Sequence, residues 1–342
     1  MESITIKDVA RLCGVGVSTV SRAINNHPDI NPETKEMIMR VISENNYIPN
    51  NSARNLKRQE SKTVAVLMKG MTNPFFHGMI KILEREVERK KYSFLLHHVE
   101  EEEDEINVAL ELEKEKKLCG IIFLGGAIGH TEEKLRQLGM PFVLCTVGLG
   151  KDIDKSLYSS VAIDDVKEAH HMVSHLIELG HRQIALVAAR EDDVAIGRMR
   201  LEGYKKALED HGIPFQKELV LYPEKGDNPY SMESGYRVVK KFLEAGTKAT
   251  AFFVVSDNTA FGVCKAIFDM GKQVPEDYSV AGFDGIDMGR YYNPSLTTMK
   301  QPCDEMAKES IDLLFELMED EAANRHRIFS AELVEGQSVR WI

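Results

Sequence analysis

Nine residues near the start of the chain, Gly14-Val15-Gly16-Val17-Ser18-Thr19-Val20-Ser21-Arg22, combine small apolar side chains, short hydroxyls and one guanidinium. Arg22 can fork onto a guanine edge or pair with a phosphate. Ser18, Thr19, Ser21 and Asn25 are short donors suited to phosphates and base edges. At helical spacing Val17, Ser18, Ser21, Arg22 and Asn25 lie outward, while Val20, Ala23 and Ile24 form a stripe that can be buried. Such a helix can enter a nucleic-acid groove without colliding with it. A second set of polar groups lies far downstream, where strand-like runs end: Ser256-Asp257 and Asp284. Aromatics, an arginine and carboxylates are the groups that a polyhydroxylated ring needs. Charged forks take paired hydroxyls, and ring faces take the C–H surface.

Other chemistries are poorly served. No Gly-x-Ser-x-Gly elbow or P-loop occurs, and Gly125-Gly126-Ala127-Ile128-Gly129 lacks the G-x-G-x-x-G spacing. That loop reads as ligand-side backbone. His170, His171 and His175 share one predicted helix and read as a solvated face, not a zinc site. Five cysteines are scattered without a C-x-x-C pair, which points to a reducing compartment and no disulfide framework. No metal and no cofactor is expected.

Thr5 with Asp8 resembles a capping box before Ile6, Val9, Ala10 and Cys13 at helical spacing. Gly14 ends that helix, and Val15-Gly16 opens the next. Asn26–Asp29 is a loop. Asn31-Pro32-Glu33 supplies a cap, a proline at the first helical position and an acid in the first turn. Met37, Ile38, Val41 and Ile42 are the buried face of this third helix. Three short helices with a tight turn between the first two make a helix-turn-helix plan.

At 342 residues the chain exceeds one ordinary domain. No run reaches the roughly 18 apolar residues of a membrane span. The N-terminus has no basic and apolar leader, so a cytoplasmic protein is expected. Net charge is −11, unevenly spread: residues 1–60 hold eight Lys/Arg against seven Asp/Glu. A near-neutral head on an acidic body suits a DNA reader joined to something that is not one. Beyond residue 61, strand-like runs (63–68, 93–96, 120–124, 142–145, 160–163, 184–188, 250–255 and 278–283) alternate with amphipathic helical patterns. This predicts parallel sheets with covering helices, long enough for two such units. Their ligand-facing loops belong at the C-terminal strand ends. Glu100–Glu105 reads as a solvated loop entering a helix.

Ile6-Lys7-Asp8-Val9-Ala10, Gly14-Val15, Ser18–Arg22, Asn25 and Tyr47-Ile48-Pro49-Asn50 together resemble the headpiece of the lactose/galactose-repressor (LacI/GalR) family of bacterial transcription regulators. The resemblance runs over nearly the whole chain. It implies a small all-α helix-turn-helix domain (1–49), a hinge helix or linker (50–61) and an α/β two-subdomain periplasmic-binding-protein-like (type I) domain (62–342). The N-subdomain is expected over about 62–162 plus 293–323, and the C-subdomain over about 163–292 plus 324–342, with three crossovers. The resemblance implies a homodimer on two-fold double-stranded operator DNA, not an enzyme and not a membrane protein. DNA contacts are expected from Thr5, Ile6, Val17, Ser18, Thr19, Ser21, Arg22, Asn25, Tyr47, Asn50, Ser52, Ala53, Asn55 and Leu56. Leu56 matches a leucine wedged into the minor groove, which kinks the duplex. The hinge is too short to be a stable isolated helix, so its folding is expected to depend on DNA. A small-molecule effector is expected against Asn73, Phe75, Phe76, Asp164, Arg200, Tyr230, Ser256, Asp257 and Asp284, with Asp164 able instead to cap a helix.

Two features depart from the family pattern. Gly16 stands where a hydroxyl residue is usual. Leu67-Met68-Lys69-Gly70 lacks the Asp that many sugar-responsive members place before Asn73-Pro74-Phe75-Phe76. A sugar or sugar derivative is the expected effector; a nucleobase, or a protein corepressor acting on the body surface, is the alternative. Arg22→Ala is expected to cost about 1–3 kcal/mol of discrimination between a selected operator and a scrambled duplex. Competition gel shifts measure this, and unchanged discrimination would place recognition elsewhere.

Overall fold

The computed structural model describes residues 6–24, 30–44, 62–70, 73–100, 103–126, 131–148, 153–319 and 323–342. Thr5, Asn25 and the whole hinge set Tyr47, Asn50, Ser52, Ala53, Asn55 and Leu56 lie outside the described residues, as do the side chains of Ile6 and Ser21. The chain divides into two compact units, Met1–Ser61 and Lys62–Ile342.

The first unit contains α1 (Ile6–Cys13), α2 (Val17–Ile24) and α3 (Pro32–Glu44). Gly14 adopts φ +64°, and its N–H and that of Val15 return to Arg11 and Ala10. A left-handed residue ends a helix at little cost only when it lacks Cβ. Asn31 caps α3, accepting from Glu33 N at 2.8 Å and Thr34 N at 3.3 Å. Val9, Ala10, Val20, Ala23 and Ile38 close a small core.

The second unit holds two six-stranded sheets. The first contains β1 (Thr63–Lys69), β2 (Ser93–Val99), β3 (Gly120–Leu124), β4 (Phe142–Cys145), β5 (Ser159–Ile163) and β11 (His326–Phe329). Their order is β11-β5-β4-β3-β1-β2, all parallel. The second contains β6 (Ile184–Val187), β7 (Val220–Leu221), β8 (Ala251–Val254), β9 (Ser279–Asp284), β10 (Thr297–Lys300) and β12 (Glu332–Val334). Their order is β12-β10-β9-β8-β6-β7, with only β12 antiparallel. The central strands are buried along their length, as sheets covered by helices on both faces require.

The helices that matter below are α4 (Phe75–Arg89), α5 (Glu105–Lys116), α6 (Glu132–Leu135), α7 (Asp165–Glu178), α8 (Ile196–Asp210), α9 (Met232–Glu244), α10 (Asp257–Asp269), α11 (Met288–Tyr291) and α12 (Cys303–Met318). α12 packs on β3, β4 and β5 and beside α4, so it belongs to the first sheet. The chain crosses between sheets three times: after β5, between β10 and α12, and between β11 and β12.

Two crossings fall later than the sequence suggests. The return expected at 293 occurs after Lys300, because β10 pairs with β9. The one expected at 324 occurs after Phe329, because β11 pairs with β5. β10 is Thr-rich and β11 is a half-exposed edge, so neither carries the apolar run that marks a buried strand. Among the described residues no helix is long and apolar enough to cross a membrane.

Helix contact in the second half requires glycine. A Cβ on Gly203 would strike the Val166 carbonyl and approach Ala169 Cβ to 2.8 Å, so α7 and α8 touch backbone to backbone. Gly203→Ala is therefore expected to cost about 1–3 kcal/mol through overpacking, read as a lower urea midpoint at unchanged slope.

Candidate ligand cleft and nucleic-acid interface

In the first unit, α2 turns Val20 and Ala23 into the core and leaves Val17, Ser18 and Arg22 exposed, with Thr19 half-buried. That is the amphipathic split that the spacing predicts. A Cβ at Gly16 would meet nothing nearer than Ser18 Oγ at 3.5 Å, so the missing hydroxyl residue reflects no lack of room.

In the second unit the polar groups converge at the C-terminal strand ends. Arg200, on α8, is 2 % exposed. Its Nε donates to Asp165 Oδ1 at 2.9 Å and its Nη1 to the Val255 carbonyl, and Nη1 lies 3.6 Å from Asp284 Oδ1. The guanidinium lies over the Phe283 ring, 3.7 Å from its centroid. Asp284 ends β9 at φ +125°, a conformation few side chains tolerate. It accepts from Asn73 Nδ2 at 3.3 Å and Gln301 Nε2 at 3.0 Å. Asn73 belongs to the first half, so this bond joins the two halves. Asn73 Oδ1 meanwhile accepts from Phe75 N at 3.1 Å, fixing the turn into α4.

Several expected roles change. Asp164 is exposed and caps α7, accepting from Lys167 N at 3.1 Å; the buried partner of Arg200 is its neighbour Asp165. Ser256 is fully buried and caps α10 through Thr259 N at 3.2 Å. Asp257, also fully buried, accepts from Gly285 N and Ile286 N, both at 2.8 Å, and from Thr298 Oγ1 at 2.6 Å. It therefore secures the backbone that presents Asp284. Phe75 and Phe76 are buried and meet edge-on, with ring centroids 5.3 Å apart. A buried strand-to-helix turn draws its aromatics inward. Tyr230 is half-buried. Its hydroxyl is pushed up by burial, with Asp193, Arg200, Asp165 and Asp284 all within electrostatic reach.

Sequence reasoning missed Asp165, Gln301, Thr146 and Asp193. Asp165 was hidden behind Asp164 in the same dipeptide, and Gln301 lies at a crossing that the apolar pattern does not reveal. Thr146 follows β4 at φ +72° with a buried hydroxyl that has no hydrogen-bond partner. A β-branched residue in that region is a strained one. Lys69 donates to the Glu103 carbonyl at 2.8 Å and pairs with Glu105 at 3.5 Å. Glu105 is thus buried, not part of a solvated run; Asp104 before it caps α5. Gly125 and Gly126 adopt positive φ where a Cβ would press on the Lys69 carbonyl and the Glu105 carboxylate. Residues 127–130 of that loop lie outside the described residues. His170, His171 and His175 face three different carboxylates, those of Asp210, Glu168 and Glu335.

Comparison with known proteins places this geometry. Residues 5–50 match the pattern of bacterial regulatory proteins of the lacI family, and residues 173–339 match a periplasmic binding protein-like domain. The chain is 42 % identical to the HTH-type transcriptional regulator MalR of Clostridium butyricum, over 97 % of this chain and 98 % of that one. The chain belongs to the lacI family. It is also 31 % identical to the catabolite control protein A of Priestia megaterium, covering 94 % of this chain and 95 % of that protein. Among solved structures it resembles the transcriptional regulator CelR–cellobiose complex, with TM-score 0.72, 26 % identity and coverage of 98 % and 99 %. The lac repressor dimer bound to operator and the anti-inducer ONPF shares the fold at TM-score 0.76 and 24 % identity, covering 99 % and 100 %. As a lacI-family member the chain is a transcription regulator, with a helix-turn-helix DNA-binding domain and a periplasmic-binding-protein-like domain.

Burial raises the pKa of Asp284 to about 7, against the pull of Arg200, and raises that of Asp257 in the same direction. A carboxyl whose folded pKa lies above its unfolded value stabilises the fold fully below pH 4 or so, and that stability is lost as pH rises through the folded value. Stability is therefore expected to fall between about pH 4 and 7, by at most about 1.4 kcal/mol per pH unit for each proton. Asp284→Asn is expected to flatten that slope in urea titrations at stepped pH; an unchanged slope would assign it to other groups.

Proposed function

We propose that this regulator is a sequence-specific repressor that binds a two-fold operator as a homodimer and is switched by a sugar or sugar derivative in the cleft between the halves of its second domain. The observation that carries this reading is the buried Asn73–Asp284–Arg200–Asp165 chain. It connects both halves through groups that hydroxyls can replace or extend. A ligand that binds one relative orientation of the halves better shifts the population toward it. The resulting change at residues 50–61 would alter how two heads span the operator, with Leu56 entering the minor groove. The work is done in the cytoplasm, on DNA. The buried carboxylates Asp165, Asp257 and Asp284 are all engaged with donors, an arrangement that suits binding.

The sugar reading draws on similar proteins whose structures hold cellobiose or ribose. A nucleobase effector would also use Arg200, and a regulator named PurR from Pasteurella multocida is 30 % identical over 98 % of each chain. Thermal-shift titration with sugars and nucleobases separates the two. Arg200→Ala is expected to bring the ratio of operator affinities with and without the active ligand to about one, since it removes a buried charge-assisted contact. A mutant that still responds would move the site away from this cluster.

A further inference from the structure

The segment between β6 and α8 carries a cation that the cleft described above does not use. Arg190 stands at the ligand-facing end of the second sheet, three residues after β6. It is half-buried, and its Nε is buried without a hydrogen-bond partner. The other cations of the cleft are matched: Arg200 by Asp165 and Asp284, Lys69 by Glu105. Arg190 forms no ion pair among the described residues. The turn holding it is built, not loose. Asp193 N returns to the Arg190 carbonyl at 3.1 Å, and Asp193 Oδ1 accepts from Ala195 N at 2.6 Å. A Cβ on Gly197 would run into Ala189 and the Asp193 carboxylate.

Two observations place this turn on the ligand side. Asp193 lies within electrostatic reach of both Arg190 and Arg200. Ile196, at the end of the turn, packs on the apolar cluster formed by residues of the first half. The segment therefore reaches across the opening between the halves. A buried N–H of a guanidinium without an acceptor is costly, and an oxyanion is the acceptor that satisfies it best.

We propose that Arg190 selects an acidic group on the effector, so that the ligand is a sugar phosphate or sugar acid in preference to the neutral sugar. This rests on the sugar reading of the cleft given above. The ring would occupy the Arg200–Asp284 cluster and the oxyanion the Arg190 fork.

The test is isothermal titration of the full-length protein with matched sets: glucose, glucose 6-phosphate and glucuronate; ribose and ribose 5-phosphate; galactose and galacturonate; maltose and its 6′-phosphate. At least one acidic member is expected to bind about tenfold tighter than its neutral parent, the gain of one charge-assisted contact. The phosphate and carboxylate arms distinguish the two sources of the oxyanion. Arg190→Gln is expected to bring that ratio to within about twofold, and Arg190→Lys to keep most of it. If neutral sugars bind as tightly as their acidic partners, or if Arg190→Gln leaves the ratio intact, the proposal is overturned while the sugar reading stands. If no member of any set binds, both fall together.

Discussion

The second domain depends on one buried cation. The Arg200 guanidinium cannot be left unpaired at this depth, since an isolated buried charge costs several kcal/mol even after relaxation. Its surroundings are accordingly determined in every direction. Asp165 meets one edge, the Val255 carbonyl another, the Phe283 ring lies beneath, and Asp284 approaches from the side. These groups come from the first crossing, the ends of β8 and β9, and the start of α8. One side chain thus ties together segments far apart in the chain.

Asp284 extends the network to the other half. Its strained backbone persists because Asp257 holds the two following amides and Gln301 N binds its carbonyl. Its carboxylate then meets Asn73 from the first half and Gln301 from the second crossing. The crossings are the only covalent links between the halves, and two of them supply polar side chains to this cluster. A molecule that competed for these groups would therefore act on the relative position of the halves as well. That is the physical requirement for a binding event to be felt elsewhere in a regulator.

The head uses simpler physics. Among the described residues a small apolar core and two caps hold three short helices, and one side of α2 stays exposed. Nothing in that side needs burial to be correctly shaped, which is why its exposure is legible in the spacing alone.

The sequence by itself determined the helix-turn-helix and the alternation of strands and helices. Each depends on local periodicity or on a motif contained in a short window. It did not determine the crossings, since β10 and β11 are short and half-polar and are strands only because β9 and β5 offer them edges. It also left roles within motifs open. Asp164 and Ser256 look like ligand groups but satisfy helix ends, and Asp257 satisfies loop amides. Phe75 and Phe76 are packed into a core as well. Whether a polar side chain serves the backbone or a ligand depends on which donors surround it after folding. Only the tertiary structure decides that, because those donors come from residues distant in the chain, as Asp165 for Arg200 and Asn73 for Asp284 show.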